Sequence, residues 1–323
     1  MNIAPIKPSK IKHFIELSDI PNDDLRNIII HAKQLKATRG TQHNSLTAQQ
    51  HSPTAQHNLL VGKSLAMIFE KPSTRTRISF EVAMYELGGH PLVLSASDLQ
   101  LGRGETIADT ARVLSRYNHA IMMRATIHEK LIELAQYSTI PVINGLTDLS
   151  HPCQIMADMM TIEEKIGTTQ GKKITWLGDG NNVLNSLISA TPAFGFELHI
   201  ACPKSLQPNA NHVAKALQNG GKVIFHDNII HATQNADAII TDTWISMGHE
   251  NSETRRQLLT PYQVNAAIMN NAKENAIFLH CLPAHRGEEV TSDVIDGKQS
   301  AVWDEAENRL HVQKAILCWV LQD

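Results

Sequence analysis

The sequence predicts an α/β protein of two domains, each a parallel β-sheet flanked by helices, with the active site in the cleft between them. Three observations carry that prediction. Short apolar runs alternate with helical patterns along most of the chain, which is the rhythm of βαβ units. The 323 residues suit about two domains rather than one. Polar clusters recur at the ends of the apolar runs, where open parallel sheets bind their ligands.

Composition narrows the function classes. Hydrophobic residues make up 42% of the chain and charged residues 19%, as in an ordinary soluble protein. A formal charge of −3 gives no electrostatic basis for holding nucleic acid or an anionic membrane. No apolar run approaches the roughly 20 residues that span a bilayer. Residues 1–10 lack the apolar core of a signal peptide, so a cytoplasmic protein is expected. Cys153, Cys202, Cys281 and Cys318 form no C-x-x-C pair, which removes zinc-ribbon and thioredoxin-like readings. Free thiols are expected, three of them as buried apolar fillers and Cys281 as a separate case.

Taken in order, residues 11–37 read as a helix with Leu25, Ile28, Ile29 and Leu35 on its core face. Residues 38–58, polar and rich in Gln and His, read as a surface excursion. Strands are predicted at 65–69, 91–94, 119–123 and 141–144, with helices at 74–87, 105–117 and 127–136. In the first of these helices, 74–87, the spacing of Ile78, Val82 and Tyr85 suggests one face. A helix over about 151–166 follows, and the domain boundary is placed at its start, dividing 1–150 from 151–307. A second strand series is predicted at 173–177, 197–201, 222–226, 237–241 and 277–280, and a last helix at 308–322.

Six polar clusters lie at or near strand ends. The run Ser73-Thr74-Arg75-Thr76-Arg77 follows the first strand and opens a helix, with Ser73 as the expected N-cap. Hydroxyls, free backbone N–H groups and a guanidinium at a helix start make a phosphate site. Arg124 ends another strand, and Ser150-His151-Pro152-Cys153-Gln154 sits at a strand-to-helix junction. Gly178-Asp179-Gly180-Asn181-Asn182 invites comparison with a dinucleotide fingerprint. However, its sixth position is Val183 and no acid directly ends the next strand, so nicotinamide binding is disfavoured. Asp242 opens the fifth cluster and could meet a substrate ammonium group. His280-Cys281-Leu282-Pro283 forms the sixth, where a cysteine nucleophile with a histidine base stays open. Together they describe an enzyme joining an anionic, phosphate-bearing substrate to a cationic amine.

The run from Phe69 to Arg77, with His151-Pro152-Cys153-Gln154, resembles the signatures of the aspartate and ornithine carbamoyltransferase family. Asp242-x-Trp244-x-Ser246-Met247-Gly248 and His280-Cys281-Leu282-Pro283 resemble its ornithine branch. The resemblance implies carbamoyl transfer from carbamoyl phosphate to the δ-amine of L-ornithine, giving citrulline and phosphate, in arginine biosynthesis. It implies no cofactor and no metal, and a homotrimer. By the resemblance, Ser73, Thr74, Arg75, Thr76, Gln100, Arg124, His151, Gln154, Cys281, Leu282 and Arg309 would bind carbamoyl phosphate, Gln100 from a neighbouring subunit. Asn182, Asp242, Ser246 and Met247 would bind ornithine, and Cys281, Arg75, His151 and Asp242 would be catalytic. The segment 308–323 would return to complete the first domain. Two departures stand out: the length of 38–58, and Ala284-His285-Arg286 where many relatives carry Arg or Lys.

Overall fold

The structure is a computed structural model that describes residues 11–39, 58–95, 104–245 and 252–322. Two parallel sheets form its frame. The first contains β1 (Ser64–Phe69), β2 (His90–Ser95), β3 (Ala120–Arg124) and β4 (Val142–Leu146) in the order β2-β1-β3-β4. The second contains β5 (Lys173–Leu177), β6 (Glu197–Ala201), β7 (Lys222–Phe225), β8 (Ala238–Thr241) and β9 (Ile277–His280) in the order β7-β6-β5-β8-β9. Apart from the edge strands β2 and β7, whose side chains are partly exposed, their apolar side chains are largely buried, which is why these strands read as continuous apolar runs.

The helices are α1 (Asn22–Arg39), α2 (Thr74–Glu86), α3 (Ile107–Tyr117), α4 (His128–Tyr137), α5 (Pro152–Ile166), α6 (Asn182–Phe194) and α7 (Ala210–Gln218). The shorter α8 (Ile229–Thr233), α9 (Ser252–Leu259), α10 (Ala266–Asn271) and α11 (Ser292–Ile295) precede the long α12 (Val302–Leu321). Helix α5 is buried continuously from Pro152 to Ile162. It packs on α12, which also lies against α1, α2 and β9. One apolar core therefore runs from β1 through these helices to β5 and β9.

Four expectations are corrected. The first helix begins at Asn22, not at residue 11. Ile20 precedes Pro21 and is held extended at φ −105° and ψ 134°, so the helix cannot pass through it. The stretch before it instead adds Phe14 as a bridge to Ile143 beside β4. In α2, Ile78 and Tyr85 are exposed (54% and 68%), and the buried stripe is Thr76, Phe80, Ala83 and Met84. Ser73 has the extended backbone of an N-cap, but its hydroxyl makes no capping bond. The last helix starts at Val302, six residues early, because Asp304 and Glu305 favour a first turn. The expectation for 38–58 falls almost entirely outside the described residues.

Candidate active site

Each sheet reverses its strand order at one place, and the polar clusters converge there. In the first sheet the reversal lies between β1 and β3. Phe69 pairs with Arg124, so the turn into α2 and the Arg124 side chain emerge side by side. In the second sheet it lies between β5 and β8, where the Gly178 turn and Asp242 emerge. Thr241 pairs with His280, which places Asp242 and Cys281 next to each other one step further on. Ligand crevices form at such switch points.

The first half is cationic. The buried Thr76 hydroxyl lies 3.4 Å from both Arg124 Nη1 and Arg309 Nη2. Arg309, on α12, is 5% exposed. Burial and the neighbouring Arg309 and Arg75 push the Arg124 guanidinium down to about 10. Crowded cations in a desolvated place repel one another, and an anion relieves them. His151 is buried at the N-cap position of α5, and burial, then Arg309 and Arg124, depress its pKa well below normal. Its imidazole is therefore neutral. The Nε atoms of Arg124 and Arg309 and Nδ1 of His151 are buried without a hydrogen-bond partner among the described residues. Behind this half, Glu70 braces the turn by accepting from Lys130 Nζ (2.6 Å) and from the Thr126 N–H (2.7 Å).

The second half is a closed circuit of hydrogen bonds. The Cys281 thiol donates to Asp242 Oδ1 at 2.9 Å, and Asn181 Nδ2 donates to Oδ2 at 2.6 Å. Asn181 Oδ1 also caps α6 by accepting from the N–H groups of Val183 and Leu184. Burial and then the Asp242 charge raise the Cys281 pKa well above normal, so it is a thiol and not a thiolate. Leu282 adopts φ +56°, a left-handed backbone unusual for leucine, and its N–H donates to His280 Nδ1. Cys281 is close enough to Arg124 and Arg309 to feel their charge, which brings the two halves together.

The Gly178-Asp179-Gly180 turn has its own structural causes. Gly178 has φ +120°, and a Cβ at Gly180 would stand 2.3 Å from the backbone of Gln207 and Pro208. Asp179 pairs with Arg255 of α9, which also donates to the Trp244 carbonyl.

Of the expected site residues, Ser73, Thr74, Arg75, Thr76 and Arg124 gather at the first switch point, with His151, Gln154 and Arg309 beside them. Asp242, Cys281 and Leu282 gather at the second. Asn182 points across to donate to the Thr147 carbonyl at 2.7 Å. Gln100, Ser246 and Met247 lie outside the described residues. Sequence reasoning passed over Asn181, Asp158 and Glu305. An asparagine at a strand-to-helix turn was the available signal for the first.

Residues 12–164 match the family "Aspartate/ornithine carbamoyltransferase, carbamoyl-P binding domain", and residues 170–320 its "Asp/Orn binding domain". The chain belongs to the aspartate/ornithine carbamoyltransferase family. As a carbamoyltransferase it is 54% identical over 313 residues to an ornithine carbamoyltransferase of Brucella ovis, covering 97% of this chain and 96% of the relative. It is 52% identical over 307 residues to one from Methanocorpusculum labreanum, covering 95% and 97%. The solved ornithine carbamoyltransferase of Pyrococcus furiosus is 50% identical, with a TM-score of 0.88, covering 95% of this chain and 96% of that one.

Proposed function

We propose that this carbamoyltransferase moves the carbamoyl group of carbamoyl phosphate to the δ-amine of L-ornithine, releasing citrulline and phosphate. The observation that carries this reading is the juxtaposition of buried Arg124, Arg309 and His151 nitrogens, without partners among the described residues, with the Asp242–Cys281–Asn181 circuit. Ser73, Thr74, Arg75, Thr76 and Arg124 hold the phosphate and carbonyl oxygens, His151 and Gln154 hold the carbamoyl group, and Arg309 is a further contact to carbamoyl phosphate. The amine attacks the carbamoyl carbon directly, and charge grows on the carbonyl oxygen. Arg75, Thr76 and the neutral His151 donate to that oxygen. Phosphate then leaves, its charge held by Arg75 and Arg124.

The amine attacks only when neutral, although its solution pKa lies near the roughly 10.4 of lysine. A bare carboxylate beside it would hold its proton. Asp242 instead orients the α-amino end of ornithine and accepts from the Cys281 thiol. A protonated thiol is a poor nucleophile, which supports direct attack over a covalent route. Asn182, Ser246 and Met247 complete the ornithine pocket, and Leu282 its carbamoyl wall.

The finer assignments belong to the same proposal. Residues 1–150 with 308–323 form the carbamoyl-phosphate domain and 151–307 the ornithine domain. A cytoplasmic homotrimer working in arginine biosynthesis is the setting, with Gln100 lent to a neighbouring subunit. Ile78 and Tyr85 stand exposed on α2, and Val113 and Tyr117 stand exposed on α3. The test is citrulline formation with saturation curves for both substrates. Saturable turnover with ornithine, and no carbamoylated or phosphorylated enzyme by mass spectrometry, is expected. Turnover only with another amine overturns the substrate, and an adduct on Cys281 overturns direct attack.

A further inference from the structure

Asp158 and Glu305 are each 1% exposed. Both accept from the same amide: Gln154 Nε2 donates to Asp158 Oδ1 at 2.9 Å and to Glu305 Oε1 at 2.6 Å. The other end of that amide, Gln154 Oε1, accepts from Arg309 Nη1 at 2.6 Å. The second oxygen of Glu305 accepts from the His280 N–H at 2.8 Å, one residue before Cys281.

An amide has two N–H bonds, and here both are occupied by carboxyl oxygens. Turning it over would set its oxygen against two acids and its NH2 against a guanidinium. The pair therefore allows one orientation. In that orientation the carbonyl oxygen faces Arg309 and keeps a second lone pair for a carbamoyl N–H. The two buried acids converge on one amide nitrogen, and carboxylates that close and that buried do not both ionise freely, so a proton is retained between them. Burial raises both, Asp158 to about 7, and the charge of Asp158 raises Glu305 further.

We propose that Asp158 and Glu305 are positioning residues: through the Gln154 amide they aim the Arg309 guanidinium at the carbamoyl-phosphate end, and Glu305 ties that end to the strand carrying Cys281. The proposal rests on the reading of this crevice as a carbamoyl-phosphate site. In Glu305→Gln, an NH2 group can replace the oxygen facing Gln154, so that N–H confronts N–H. Asp158→Asn can keep its oxygen toward Gln154 and turn its NH2 toward Glu305, so it imitates the protonated acid and removes the titration. A wild type losing the shared proton as pH rises gains negative charge beside Arg309, so anion affinity falls.

The experiment measures kinetics from pH 6 to 9, calorimetric binding of inorganic phosphate and thermal melting on the whole protein and both variants. Glu305→Gln should raise the KM for carbamoyl phosphate about tenfold, while Asp158→Asn keeps it within about twofold of the wild type at pH 6 and holds it there at higher pH, with the ornithine KM within about twofold in both. The rise of that KM with pH should flatten in both. Unchanged carbamoyl-phosphate KM values and an unchanged pH profile overturn the proposal. So does a parallel loss for both substrates that tracks melting temperature. If Glu305→Gln does not fold, Asp158→Asn decides. If the wild type binds phosphate but makes no citrulline, the functional reading fails instead. The positioning role is then decided by whether Glu305→Gln weakens phosphate binding about tenfold.

Discussion

The two halves of the crevice are built on opposite principles. At the first switch point, Arg75, Arg124 and Arg309 crowd together, and buried nitrogens of Arg124, Arg309 and His151 lack partners among the described residues. At the second, Asp242 is already held in place: Cys281, Asn181 and the Thr243 N–H all donate to it, leaving acceptor capacity for one more donor. An unsatisfied cationic site gains most of its interaction energy when an anion arrives. A satisfied acceptor site instead keeps its geometry in advance and changes little on binding. The first half is therefore the one expected to discriminate by charge, and the second by shape and hydrogen-bond direction.

The strongest way to break that contrast is Arg75→Ala. It should lower citrulline formation by two or more orders of magnitude, or roughly 3 kcal/mol, if the guanidinium carries charge in the transition state. Near-wild-type turnover would remove Arg75 from the chemistry. Asp242→Asn probes the other half. One amide N–H would then face either Asn181 Nδ2 or the Cys281 thiol, both of them donors. A loss of about 10- to 100-fold in kcat/KM for ornithine is expected, with the carbamoyl-phosphate KM little changed. Equal damage to both substrates would mean that the halves are not separable.

The effect furthest from the chemistry, with no change in activity at its root, concerns support beneath the first half. Glu16 accepts from Ser150, next to His151, and burial raises its pKa to about 7. The folded state thus holds a proton that the unfolded state releases near the ordinary value of about 4.3. Stability is undiminished below that value and falls as pH rises toward 7, by up to about 3 kcal/mol. Glu16→Gln keeps an acceptor for Ser150 and removes the titration. Its melting temperature should overtake that of the wild type by a margin that widens between pH 5 and pH 8. A margin that does not change with pH would free Glu16 of this role.

Much of this was legible from residue order. All nine strands lie within a residue or two of their predicted places, because short strands of a parallel sheet read as apolar runs with polar ends. Helix faces were harder to read. The spacing of Ile78 and Tyr85 points to a core that α2 does not offer them, and the spacing before Asn22 hides the break that Pro21 imposes. In the crevice, Thr76, Arg124, Asp242 and Cys281 announced themselves as polar residues at strand ends. Glu305 did not, since an acid in a first helical turn is commonplace and its partner Gln154 is 151 residues away. Asp158 left a fainter trace: a carboxylate four residues after Gln154, inside an otherwise apolar stretch of α5.

Strand β9 ends the second sheet, and its outer edge would ordinarily be open to pairing with another chain. Here the Phe278 N–H donates to the Gln299 carbonyl, the Phe278 carbonyl accepts from the Ala301 N–H, and the His280 N–H donates to Glu305. The residues leading into α12 thus cap the sheet against edge-to-edge aggregation. Loosening the start of α12 would therefore expose a β-edge to self-association as well as disturb Arg309, so colloidal stability and turnover should decline together.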